Sequence, residues 1–276
     1  MKKMLRSWFM RRGSGKTTIG GAIILFMFFI TILSVFWTPC DPEKTDLALR
    51  LSPPVAGHIF GCDQLGRDIL SRTMVGGQVS LMIALLAVLG TAVLGTVLGV
   101  VGGFFGGAVD NIVGIMAELK QALPTFLICI LFLAVFGSSI LSMVIILSLA
   151  DWVSIYRTVR GNTLVEREKD YVLATRTLGA TDKRLIFRHV VPNVLPSVIV
   201  LSTLLIATTI LQESSLSYLG VGVARPYPSW GRMISDGQAY IDGAWWVACI
   251  PAFAVAITVI GINVLGDGIR QMTKME

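Results

Sequence analysis

The chain has 276 residues, 54% hydrophobic and only 14% charged, with a mean hydropathy of +0.75. Soluble domains carry roughly 25% charged residues, so an ordinary soluble enzyme or binding module is excluded and an all-α integral membrane protein is indicated. The formal net charge of +6 matters less than where the charges sit.

Residues 11–18 read RRGSGKTT, which resembles the end of a phosphate-binding loop. The full pattern requires a glycine five residues before Gly15-Lys16, and that position is Met10. The apolar run IGGAIILFMFFITILSVFW follows directly, predicting a first crossing near 19–37. Its 19 residues exceed the apolar core of a cleaved signal peptide and no small-residue cleavage site follows, so it reads as a retained signal anchor. Arg11, Arg12 and Lys16 then serve as topological anchors before it.

Residues 38–72 carry turn chemistry at Pro39, Asp41-Pro42, Pro53-Pro54 and Gly57, which predicts an irregular cap or short helices. Cys40 and Cys62 both fall in this loop; an extracytoplasmic compartment permits a disulfide, but spacing does not decide whether the thiols meet. Arg67 and Asp68 lie in a fixed turn leading into the next helix. Two readings stay open for them: packing of the loop over an outer mouth, and plain loop packing. A second crossing is predicted near 80–105. Along it Gly95, Gly99, Gly103 and Gly107 recur every four residues, one helical face on which another backbone can approach closely. Packing within the chain and a subunit interface both satisfy that pattern.

The apolar stretch from 121 is too long for one crossing and is broken at Gly137-Ser138-Ser139, predicting crossings near 121–137 and 140–158. Asp151 is expected near the cytoplasmic end of the latter. Further crossings are predicted near 196–212 and 245–266, with Glu213 at the outer end of the fifth and Asn263 late in the sixth. A charge at a helix centre in lipid costs roughly 2.5–3.5 kcal/mol, so Asp151 and Glu213 read as structurally paired or end-placed residues. Six crossings with the N-terminus inside put 17 of the 23 Lys and Arg residues in cytoplasmic segments, which by the positive-inside rule places both termini in the cytoplasm.

The loop 164–196, TLVEREKDYVLATRTLGATDKRLIFRHVVPNVLP from Thr163, is the most informative segment. Acids Glu166, Glu168 and Asp170 come first and Arg176 late, as a helix dipole favours. Gly179 is expected to end that helix, Thr181 or Asp182 to cap a second, and Pro192 to stop it. A polar, basic helix–glycine–helix insertion between two crossings reads as a docking element for a cytoplasmic partner, or as an amphipathic pair lying on anionic lipid.

This loop resembles the Glu-Ala-Ala signature of ABC-transporter permease subunits. The matching stretch is Leu173-Ala174-Thr175, then Gly179, then His189-Val190-Val191-Pro192; Leu173 stands where the family has its leading Glu, and Thr175 in place of the second Ala. FGCDQLGRDILSRTMVGGQVSL (60–81), SSLSYLGVGVARPYPSWGRMISDG (214–237) and NVLGDGIRQ (263–271) are similar to three further blocks of the dipeptide/oligopeptide/nickel permeases, in family order, and point to the C-type subunit with its extra N-terminal helix. The resemblance implies a type I ABC importer-like permease fold of six transmembrane helices in a bacterial inner membrane. Residues 1–72 are then the cytoplasmic segment, first helix and outer loop, and 73–276 the five-helix permease core.

Implied partners are a second homologous permease, two cytoplasmic ATP-binding subunits, an extracytoplasmic solute-binding protein and membrane lipid, with no nucleic acid. ATP and magnesium belong to the partner ATPases, so no cofactor and no catalytic residue is expected on this chain. Contact with the ATPase falls to Tyr171, Ala174, Thr175, Leu178, Gly179, Ala180 and Pro192, and peptides or related small solutes are the default cargo.

His58 and His189 are the only histidines and fall on opposite faces of the membrane, so no metal site is expected. A stand-alone secondary transporter or channel is the rival reading, for which a charged relay or paired broken helices near the midplane are expected. Neither is visible in the sequence. A membrane-anchored enzyme lacks any nucleophile–base or metal-ligand cluster.

Overall fold

A computed structural model describes residues 14–224 and 226–273. The basic cluster up to Arg12, together with Arg225 and Lys274, lies outside the described residues. The helices are α1 (Ser14–Phe36), α2 (Ile69–Phe105), α3 (Gly107–Ala122), α4 (Thr125–Phe136), α5 (Ile140–Arg167), α6 (Asp170–Thr177), α7 (Asp182–Leu185), α8 (Val191–Tyr218), α9 (Trp230–Gln238) and α10 (Trp246–Thr273). A π-helical turn, Ile186–Val190, joins α7 to α8 without a break. Among the described residues β-structure is confined to two isolated bridges in the loop before α2.

Five stretches are long and apolar enough to cross a bilayer, and α3 with α4 makes a sixth if that bent pair is one span. The pair corrects the crossing expected at 121–137. Leu123 precedes Pro124, and the proline ring drives the residue before it out of the helical region; Leu123 is extended (φ −102°, ψ 136°) and the two helices meet at 90°. The 12 residues of α4 reach only about 18 Å, short of a hydrocarbon core of about 30 Å.

The second crossing begins at Ile69, well before the expected residue 80. Asp68 caps it, its carboxylate accepting the Ser71 N–H at 2.7 Å. The polar first turns are buried by protein. The N–H of Trp230 donates to Ser80 Oγ and its indole N–H donates to the Thr73 carbonyl at 2.8 Å, so α9 covers this end of α2. At 37 residues the helix runs about 55 Å and extends beyond the bilayer.

The centre of the molecule is the pairing of α2 with α5. Ile83 and Ala87 interlock with Met143, Ile146 and Leu147 in one buried cluster. Lower down, Gly95, Gly99 and Gly103 bring the helices close: a β-carbon on Gly99 would sit 2.7 Å from Val159 Cβ and 2.9 Å from the Tyr156 carbonyl. Gly107 does not share that face. The helix ends at Phe105, and Gly106 and Gly107 take positive φ (67° and 55°) to start α3 in a new direction, with open space around Gly107. The anchor helix α1 is part of the bundle. Met27 packs with Ala254, Val255 and Ile262 of α10 and with Ile210 and Trp230, while Leu25, Phe29 and Phe36 face outward.

Candidate functional site

Helix α5 continues to Arg167 and carries Asp151 in its interior, not near its end as expected, facing Gln212 of α8. Only Glu168 and Lys169 separate Arg167 from the start of α6, so the loop begins as a short helix hung directly below the α2–α5 pair. Its inner face is fixed by Val172, which is buried with Leu185, Val190 and Val194 against Val100, Phe104, Ile155 and Val159.

The end of α6 is fixed by backbone chemistry. The Gly179 N–H donates to the Arg176 carbonyl at 3.0 Å, and the Ala180 N–H to the Thr175 carbonyl at 3.3 Å. This pair of bonds is a Schellman motif, which requires a left-handed residue after the helix; Gly179 has φ +88°. Thr181 then caps α7 by accepting the Arg184 N–H.

Pro192 does not stop this second helix. It lies inside a continuous helical run, directly after the π-turn in which the Val191 N–H donates to the Ile186 carbonyl, and that irregular turn lets the helix pass a residue with no N–H to donate.

The expected residues divide by exposure. Tyr171, Ala174, Leu178, Gly179 and Pro192 are exposed, while Thr175 and Ala180 are partly buried, Ala180 against the cluster that holds Val172. Leu178 is 87% exposed at the tip, and nothing lies within 4 Å of where a β-carbon on Gly179 would be. Arg176 stacks over Phe104 at 5.4 Å and lies 3.6 Å from Asp182 across the turn.

Sequence reasoning missed the backing of this tip. Asn193 Nδ2 lies 2.8 Å from Glu166 Oε1, 2.9 Å from the Tyr171 hydroxyl and 2.7 Å from the His189 carbonyl, so its two hydrogens are shared among three acceptors. Lys169 Nζ closes on the other Glu166 oxygen at 2.6 Å, and Arg167 donates to the Gly103 carbonyl at the end of α2.

At the opposite end of the bundle, Arg67 and Asp68 do not pair with each other. Arg67 Nε donates to Asp63 Oδ2 at 2.8 Å, and Asp63 also receives Arg72 at 3.5 Å. Asp68 instead caps α2 and meets His58. Glu213 is fully buried and bonded by the Ser217 hydroxyl at 2.7 Å, a structural pairing. Cys40 and Cys62 are free thiols. Burial, with the Asp68 and Asp63 carboxylates nearby, pushes the Cys62 thiol up to about 11. Around His58, one of the two histidines, Cys40, His58 and Asp68 hold three ligand atoms within 4.8 Å of one another.

The family model of the binding-protein-dependent transport system inner membrane component matches residues 95–273. The oligopeptide transport system permease protein OppC of Bacillus subtilis is 38% identical over 98% of this chain and 90% of its own length. The dipeptide transport system permease protein DppC of the same organism is 35% identical, covering 90% of this chain and 78% of its own. The probable D,D-dipeptide transport system permease protein DdpC of Escherichia coli is 34% identical, covering 95% and 88%.

Proposed function

This chain belongs to the family of binding-protein-dependent transport system inner membrane components and is a transmembrane permease of an ABC importer, and from that premise we propose that its helix–glycine–helix loop is the element through which a cytoplasmic ATPase drives it. The observation that carries this reading is Leu178, 87% exposed at the tip of a loop whose inner face is locked to α2, α5 and α8. Burying a leucine side chain contributes about 1.5–3 kcal/mol, so a groove on a partner that accepts this tip gains both affinity and a grip on three helices. A tip fixed to the bundle transmits displacement; a loop loosely tethered would absorb it.

Membership of the family supports the rest of the assembly. A second homologous permease, two ATP-binding subunits and an extracytoplasmic binding protein complete the transporter, and this chain contributes half of the pathway. Both termini lie in the cytoplasm of a bacterial cell, and the loop before α2 faces outward. ATP and magnesium bind the partner subunits. Peptides are the cargo favoured by the names of the relatives, with selection made first by the binding protein.

A photo-crosslinking residue at position 178 of the assembled transporter tests the coupling role. Capture of the ATPase subunit, changing in yield between nucleotide-free and ATP-bound states, is expected. Capture of lipid alone would place the loop on the membrane surface and overturn the reading.

A further inference from the structure

We propose that Cys40, His58 and Asp68 form a transition-metal site, with zinc as its ion, that pins the loop before α2 to the first turn of that helix. Cys40 Sγ lies 3.9 Å from His58 Nδ1, and His58 Nδ1 lies 3.0 Å from Asp68 Oδ1. Tetrahedral zinc with bonds of about 2.0–2.3 Å holds its ligand atoms about 3.2–3.8 Å apart. The thiol–imidazole edge therefore already has nearly the right length. The imidazole–carboxylate edge opens by a few tenths of an ångström as the hydrogen bond gives way to two coordinate bonds.

The donor set selects the ion. A thiolate, a neutral imidazole and a carboxylate together carry two negative charges, which a dication balances. Sulfur and imidazole ligands favour zinc over calcium or magnesium, which take oxygen. A cavity of about 320 Å³ opens beside the three residues and is also lined by Asp41, Lys44 and Asp46, leaving room for water or Asp46 in the fourth position.

The outer shell is built as a metal site requires. Asp68 is 2% exposed, and its Oδ2 accepts both the Ser71 N–H and the Ser71 hydroxyl at 2.7 Å, leaving Oδ1 for the ion. The same Ser71 Oγ accepts the Cys40 N–H at 3.0 Å. One serine thus fixes the positions of two ligands that are far apart in sequence. Cys40 Sγ is otherwise held only by a 3.5 Å contact to the Gly57 carbonyl. Binding deprotonates the thiol and closes the loop from residue 40 to residue 68, acting as a clip on a segment that has little regular structure.

The test uses the assembled transporter in nanodiscs, stripped with a chelator and titrated with Zn²⁺ and with Co²⁺. The wild type should bind one Zn²⁺ per copy of this chain beyond a matched Cys40→Ser complex, and Co²⁺ should give a thiolate-to-metal charge-transfer band. Cys40→Ser should abolish the band, His58→Gln should weaken Zn²⁺ binding by at least about tenfold, and Cys62→Ser should leave both intact. Zn²⁺ should raise the thermal midpoint of the wild type but not of Cys40→Ser. A missing band, or one that survives Cys40→Ser, would overturn the proposal. So would a loss of the band in Cys62→Ser with Cys40 intact.

Discussion

Asn193, in the first turn of α8, donates its side-chain amide to Glu166, in the last turn of α5, across 2.8 Å. The two residues flank the whole helix–glycine–helix loop, so this bond closes its base. Glu166 is nearly buried and also binds Lys169, so removing its partner leaves a carboxylate short of donors. A hydrogen bond to a charged group contributes about 1.5–3 kcal/mol. Asn193→Ala should therefore lower the thermal midpoint and reduce transport per ATP hydrolysed, whereas Asn193→Gln should recover part of both. Reconstituted transport assayed beside ATPase rate measures the ratio; an unchanged ratio in Asn193→Ala would show that the base of the loop carries no load.

Gly179 takes φ +88° with open space where a side chain would go. Any L-residue there is strained by about 1–2 kcal/mol, but nothing in the chain itself blocks a large one. Gly179→Asn, which tolerates the left-handed region, should retain most uptake. Gly179→Trp should insert and fold yet lose uptake, because the indole obstructs the partner. Co-purification of the ATPase separates lost docking from lost coupling, and wild-type uptake by a fully expressed Gly179→Trp transporter would refute the coupling role.

The glycine face of α2 allows a sharp contrast. A β-carbon on Gly99 would press on the Tyr156 carbonyl, which cannot move independently of α5, while one on Gly114 meets nothing within 4 Å. Overpacking costs typically about 1–3 kcal/mol, and Gly99→Leu should fall at or above that range, visible as poor yield or a depressed thermal midpoint. Gly114→Ala should be neutral or stabilising, since it removes a helix-interior glycine. Equal midpoints for the two variants would contradict the close α2–α5 approach.

Thiol labelling tests topology. A cysteine at the exposed position 47 should react with an impermeant reagent in intact cells, and one at the exposed position 183 only after lysis. Native Cys62 should be a weak background. The thiolate is the reactive form, and a rise from 9.0 to about 11 cuts its fraction near neutral pH by about 100-fold. Its labelling should climb as pH rises toward 11 and should not plateau near 9. Fast labelling of Cys62 at pH 7 would contradict its burial, and labelling of position 183 from outside would reverse the orientation.

The apolar windows locate the five long crossing helices but not α3, because lipid exposure needs a composition that a hydropathy reading detects directly. They misplace ends wherever protein replaces lipid. The turns around Arg72 and Thr73 look too polar for a crossing, yet they are buried under Trp230 and the loop before α2. The 90° bend at Leu123-Pro124 hides because α3 mixes Asp110, Glu118 and Lys120 with its apolar stripe and, at 16 residues, is too short to cross a bilayer by itself. Gly179 is readable because one backbone position demands one residue type. The Glu166–Asn193 bond and the Cys40–His58–Asp68 cluster are not, since each joins residues whose proximity exists only after the helices have packed.

From Asp182 to Tyr218 the chain is one unbroken helical run of 37 residues, about 55 Å long. One end adjoins the Leu178 tip and the other carries Glu213 and Ser217, buried against α2 and α9. A rod of that length needs no relay of side-chain rearrangements. On the coupling role proposed above, a tilt imposed at the Leu178 end carries along the helix to the Glu213 end with opposite sign about its fulcrum. The π-turn at Ile186–Val190 lies near the Leu178 end. The two departures from regular α-helix in this run, the π-turn and the interior Pro196, thus both sit toward the end where the proposed coupling would apply force.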